Sequence, residues 1–166
     1  MSDNRSTNAG GSASALVRRG TKAAHRILVV DDDISIRRFT TEMLMRSSYH
    51  VDTAEDGAAA WESLQSNSYD LLVTDHNMPK VSGVELVKKL RVARMTLPAI
   101  LMSGSMPTEE LNRHPGLQIE ATLLKPDGVL ELLGMVKEIL HANDGAREPI
   151  APPSSQSQPA AAGLQL

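Results

Sequence analysis

The chain has 166 residues, enough for one domain with tails. Hydrophobic residues make up 41% and aromatic ones only 2%, so its core has to be built from aliphatic side chains. A formal charge of −3 gives no general pull toward nucleic acid, and the lack of Cys excludes a disulfide framework and thiolate chemistry. No apolar run approaches the roughly 18 residues that a membrane helix needs.

Residues 1 to 25 are rich in Ser, Gly, Ala and Asn, with Arg5, Arg18, Arg19 and Lys22 against the single acid Asp3. Such a basic segment could pass for a weak organelle-targeting peptide. The reading adopted is a disordered tail, native or left by cloning. It is not a secretory signal, because Ala13 to Val17 is too short and holds Ser14. A cytoplasmic location is the corresponding expectation.

From 26 to 143 strand and helix signals alternate. Apolar runs predict strands at Ile27 to Val30, Leu71 to Thr74 and Ala99 to Met102, with weaker signals at Val51 to Ala54 and Ile119 to Leu124. Helical spacing fills the gaps. It groups Ile36 with Phe39 and Met43, Ala58 with Trp61 and Leu64, and Val84 with Val87 and Leu90. Thr108 to His114 reads as a short helix with Glu109 and Glu110 near its positive end. The last helix carries a long stripe: Val129, Leu132, Leu133, Val136, Ile139 and Leu140. Residues 144 to 166 hold four prolines among Ser, Gln and Ala, and are expected to be disordered. No DNA-binding module is expected after 143, since no apolar periodicity follows.

This alternation predicts an α/β fold with a parallel sheet covered on both faces. In such sheets ligands bind beyond the carboxyl ends of the strands. There the sequence places acids. Strand one ends in Asp31, Asp32 and Asp33, and strand three in Asp75. Two like charges at ~4 Å and an effective dielectric of ~20 repel by about 4 kcal/mol, so converging acids imply a cation. Hard oxygen ligands suit Mg²⁺. Asp75 could then serve as a nucleophile toward phosphorus. Strand four ends in Ser103 and strand five in Lys125, and both suit phosphoryl oxygens. Taken singly, each has a plainer reading: a turn or cap acid, a turn Ser, a solvated Lys. Asp33 reads as the cap before Ile34. Four strand ends carrying phosphoryl chemistry together do not fit coincidence.

The stretches "ILVVDDD", "LLVTDHNMPKVSG", "ILMSG" and "LLKP" resemble the receiver domain of two-component response regulators, over residues 26 to 143. The resemblance implies a flavodoxin-like fold with five helices and strand order 2-1-3-4-5. It implies Asp75 as phosphoacceptor and Mg²⁺ held by Asp31, Asp32, Asp75 and the Asn77 backbone carbonyl. Ser103 and Lys125 would take phosphoryl oxygens, and the bond before Pro126 would be cis. The implied partners are a sensor histidine kinase or phosphotransfer protein and a downstream protein, with no nucleic acid and no membrane insertion. The expected function is that of a single-domain regulator rather than an enzyme. A relay intermediate or a fragment of a hybrid kinase is the alternative.

One departure stands out. Members usually carry an aromatic residue three positions before the lysine, where this chain has Thr122. The usual ring movement is therefore not expected, and the loop from Ser103 to Pro107 with its short helix becomes the expected route of output. His76 follows the nucleophile but should point away from it by strand alternation, so no catalytic role is expected. A phosphatase of the haloacid dehalogenase type would need a second Asp where Asn77 stands. A flavodoxin-like nucleotide binder would need a phosphate-cradling loop where the acids stand.

Overall fold

The structure, a computed structural model, describes residues 24–146. Five parallel strands form one sheet in the order β2-β1-β3-β4-β5. They are β1 Arg26–Val30, β2 His50–Ala54, β3 Leu71–Asp75, β4 Ala99–Ser103 and β5 Ala121–Leu124. The helices are α1 Ile34–Arg46, α2 Gly57–Ser66, α3 Gly83–Val92, α4 Thr108–Arg113 and α5 Gly128–Ala146, with a 3-10 turn at Pro115–Leu117.

The pleat sends alternate side chains to opposite faces, and two cores result. Leu28, Val30, Leu72 and Leu101 pack with Ala60, Leu64, Val84, Val87 and Leu90 of α2 and α3. Ile27, Val29, Leu71, Val73 and Ile100 pack with Leu44 of α1 and Leu132, Val136 and Leu140 of α5. The central strands β3 and β4 are buried throughout, which is why their sequences are unbroken apolar runs. The two weak strand signals belong to the edge strands β2 and β5, which are only partly covered.

Four sequence expectations need correction. Phe39 does not share the buried face of α1: it is 52% exposed, and Thr40 and Leu44 are the buried residues. The apolar spacing was ambiguous there because a Thr occupies the inner position. Ala58 is likewise exposed, and Gly57, Ala60 and Leu64 face inward. Strand β5 starts at Ala121 rather than Ile119, because the 3-10 turn and Gln118, left-handed at φ 51°, occupy the chain just before it. α5 also continues past residue 143 to Ala146, and Asp144 lies 3.1 Å from His25 just ahead of β1. The expectations for residues 1 to 23 and 147 to 166 lie outside the described residues.

Candidate phosphoryl-transfer site

The carboxyl ends of β1, β3, β4 and β5 meet at one edge of the sheet. Parallel register sets this directly: Val30 stands beside Thr74, Asp75 beside Met102, and Ser103 beside Leu124. The residue that follows each pairing therefore emerges at the same height.

Asp31, Asp32 and Asp75 each offer a carboxylate oxygen, and these oxygens lie within 4.8 Å of one another. Asp31 and Asp75 are buried and Asp32 is exposed at the rim. Asp31 is held at both oxygens. Its Oδ1 accepts from the Asp33 backbone N–H at 2.9 Å and its Oδ2 from Lys125 Nζ at 2.7 Å. Lys125 also reaches Asp75 Oδ1 at 2.8 Å. One ammonium thus pairs with two of the three carboxylates.

The electrostatics follow from this geometry. Burial pushes the Asp31 carboxyl above its ordinary range, against the lowering effect of Lys125, and the Asp75 charge adds to the rise. For Lys125 burial acts downward, but hydrogen bonds to Asp31 and Asp75 outweigh it and raise its pKa. Lys125 is held charged by acids that it only partly neutralises.

Local sequence explains the placement. Asp33 caps α1 through its Oδ1, accepting from Ser35 N and Ile36 N at 2.7 and 3.2 Å, as expected of the third acid. Arg37 Nη1 donates to the Asp31 carbonyl at 2.5 Å and fixes the first turn under the site. Lys125 N–H donates to the Ser103 carbonyl at 2.8 Å, and the Lys125–Pro126 peptide is cis. Gly83 starts α3 against the end of β3. A Cβ there would stand 2.3 Å from the Asp75 carbonyl oxygen, so only glycine lets the helix approach this closely.

The other expected residues stand outside the bonds that link the acids and Lys125. Ser103 is fully buried, but its hydroxyl donates to the Ser105 carbonyl at 2.5 Å, inside its own loop. Asn77 lies exposed in the β3–α3 loop. Thr122 is half-buried on β5, paired in register with Leu101. His76 turns to α4, with Nε2 3.5 Å from Glu110, while Asp75 turns to Lys125. Arg37 went unnoticed in the sequence, although a cation one helical turn past an acid run is a readable signal.

The donor set fits a hard divalent cation. Its ligands are carboxylate oxygens, two buried and one open to solvent, and their charge exceeds what Lys125 balances. No helix among the described residues is long and apolar enough to cross a membrane.

A doubly wound sheet with clustered acids and a lysine at its carboxyl edge defines a class of signalling domain. The family described as response regulator receiver domain matches residues 27–137, and the chain belongs to it. The alkaline phosphatase synthesis regulator PhoP of Bacillus subtilis is 36% identical over 133 residues, 79% of this chain. The chain spans about half of PhoP's length, 52%. CpdR of Brucella abortus, a response regulator receiver protein, is 32% identical over 118 residues, 70% of this chain and 98% of CpdR. Among solved structures, the response regulator TrrA of Thermotoga maritima with Mg²⁺ and BeF superposes with a TM-score of 0.62 at 31% identity. That match covers 69% of this chain and 98% of TrrA.

Proposed function

We propose that this receiver takes a phosphoryl group from a phosphohistidine onto Asp75 and signals by altered binding to another protein. The observation that carries the reading is the charge imbalance: three carboxylates cluster at Asp31, Asp32 and Asp75, and the one ammonium among them, Lys125, pairs with Asp31 and Asp75. Such a site leaves negative charge for a metal cation to balance.

The chemistry follows from the positions. An Asp75 carboxylate oxygen attacks phosphorus, forming the P–O bond as the P–N bond breaks. The donor histidine leaves with the electron pair and takes a proton from water. Lys125, already beside Asp75, is placed to hold a phosphoryl oxygen. Asp31, Asp32, Asp75 and the Asn77 carbonyl would hold Mg²⁺, with Asp31 acting mainly through water. When bound, Mg²⁺ supplies positive charge that screens the acids and the incoming phosphoryl oxygens. Ser103 would leave the Ser105 carbonyl to donate to a phosphoryl oxygen, which frees the β4–α4 loop. The chain promotes its own modification and acts on no other substrate.

Thr122 favours a second reading, a relay intermediate that passes the group on, because it lacks the ring through which members usually signal. One experiment tests the proposal and separates the two. The full chain is incubated with a phosphorylated histidine phosphotransfer protein and Mg²⁺. Label should move to the chain and leave the donor. Rapid return to a second phosphotransfer protein marks a relay. Label that stays on the donor contradicts both readings.

A further inference from the structure

The helix α4 is poorly anchored. None of its residues is buried, and its N-terminus has no side-chain cap. At six residues it is too short to persist by propensity alone. Leu111 is its partly buried apolar contact with the core. Among the described residues, the side-chain polar contacts that join α4 to other segments both end on Glu110. Its Oε2 lies 3.5 Å from His76 Nε2 and its Oε1 4.0 Å from Lys88 Nζ on α3. The other α4 pair, Arg113 with Glu109, stays within the helix.

His76 is an unusual partner. It directly follows Asp75, and its side chain is only 14% exposed. Its backbone is fixed on both sides: the N–H donates to the Met102 carbonyl at 2.7 Å, and the carbonyl accepts from Gly83 at 3.1 Å. Its Nδ1 is buried without a hydrogen-bond partner. A buried polar atom left unpaired is unfavourable, and the contact of Nε2 with Glu110 is the polar contact that the ring does make. A groove of about 500 Å³ lies between His76, Lys88, Met106, Pro107 and α4.

We propose that Glu110 is a positioning residue that clasps α4 to the phosphorylation site through His76, with Lys88 as the second arm. The clasp takes over the coupling that a ring at position 122 would supply. It ties α4 to the residue next to Asp75, so a shift of the β3 end or of the Ser103–Ser105 loop moves the helix. Loss of the clasp uncouples α4 from the site without disabling the site. This rests on reading Asp75 as the phosphoacceptor.

The test uses the full chain, Mg²⁺ and beryllofluoride, with amide NMR shifts as readout. Glu110→Ala removes both arms, whereas Glu110→Gln keeps an oxygen that can accept from His76. In the parent, amides 103–105 and 108–113 should both shift on adding beryllofluoride. In Glu110→Ala the 103–105 response should persist and the 108–113 response should be lost. Glu110→Gln should restore it. An α4 response in Glu110→Ala equal to the parent's overturns the clasp. A Gln variant as silent as the Ala variant overturns the role of His76. A parent whose 103–105 amides stay still overturns the underlying phosphoacceptor reading instead.

Discussion

Lys125 Nζ stands 2.8 Å from Asp75 Oδ1, and the same ammonium lies 2.7 Å from Asp31 Oδ2. The proposed nucleophile is thus already paired with the cation proposed to receive its phosphoryl group. That pairing lets two buried carboxylates coexist before any metal or phosphoryl group arrives.

Lys125→Met should therefore destabilise the metal-free protein. Removing one partner of a buried ion pair costs about 3–5 kcal/mol, because the remaining carboxylates lose their compensating charge. Mg²⁺ should stabilise the variant more than the parent, because the ammonium no longer competes for the same carboxylates. Urea unfolding with and without Mg²⁺ measures both effects. Equal metal responses in the two proteins would contradict this competition.

Mg²⁺ should raise the melting temperature of the parent, and Asp32→Ala should remove the response. A ligand bound only by the folded state at one hundred times its Kd stabilises by about 2.7 kcal/mol. The metal-free variant should melt no lower than the parent, since it loses one of three crowded carboxylates. A variant that responds to Mg²⁺ like the parent would rule out Asp32 as a ligand.

Gly83→Ala should destabilise the fold and slow phosphorylation together. Its Cβ would fall 2.3 Å from the Asp75 carbonyl oxygen and 2.7 Å from Leu101 Cδ1. Overpacking of this kind costs about 1–3 kcal/mol, and here the obstacle includes backbone, which gives least. Denaturation and labelling rates check it; unchanged values in both would show that α3 shifts freely.

The acid limb of stability should depend on Asp56, the α2 cap. Its side chain accepts from Ala59 and Ala58 N–H at 2.8 and 2.9 Å. The Ala59 bond chiefly, with help from Ala58 and Lys80, holds its pKa below the ordinary 3.8. A lowered folded pKa gives stability that is present above the ordinary value and lost as pH falls through the folded one. Asp56→Asn still caps but does not titrate. The parent's melting temperature should therefore fall relative to the variant's on acidification below 3.8. A difference that stays constant with pH would contradict the assignment.

Much of this architecture was legible in the sequence, for a physical reason. Leu71 to Thr74 and Ala99 to Met102 lie in strands buried on both faces, so their apolar runs are unbroken. Asp31 and Asp75 follow apolar runs directly, Lys125 follows the weaker edge strand β5, and parallel register carries all three to one edge. Phe39 was misplaced because Thr40 fills the inner position on α1, where a hydrophobicity pattern sees nothing. The turn of the Ser103 hydroxyl to Ser105 was not readable, since either acceptor satisfies a hydroxyl. Nor was the reach of His76 to Glu110, because the two are brought together by the packing of α4 and not by spacing.

The most direct test of the account is intact-mass spectrometry after incubation with acetyl phosphate and Mg²⁺. One carboxylate nucleophile should add one phosphoryl group, an increment of about 80 Da, to the parent chain. Asp75→Asn should add none, and the parent without Mg²⁺ should add little. An Asp75→Asn chain that gains the same mass as the parent would contradict the central claim that Asp75 is the phosphoacceptor.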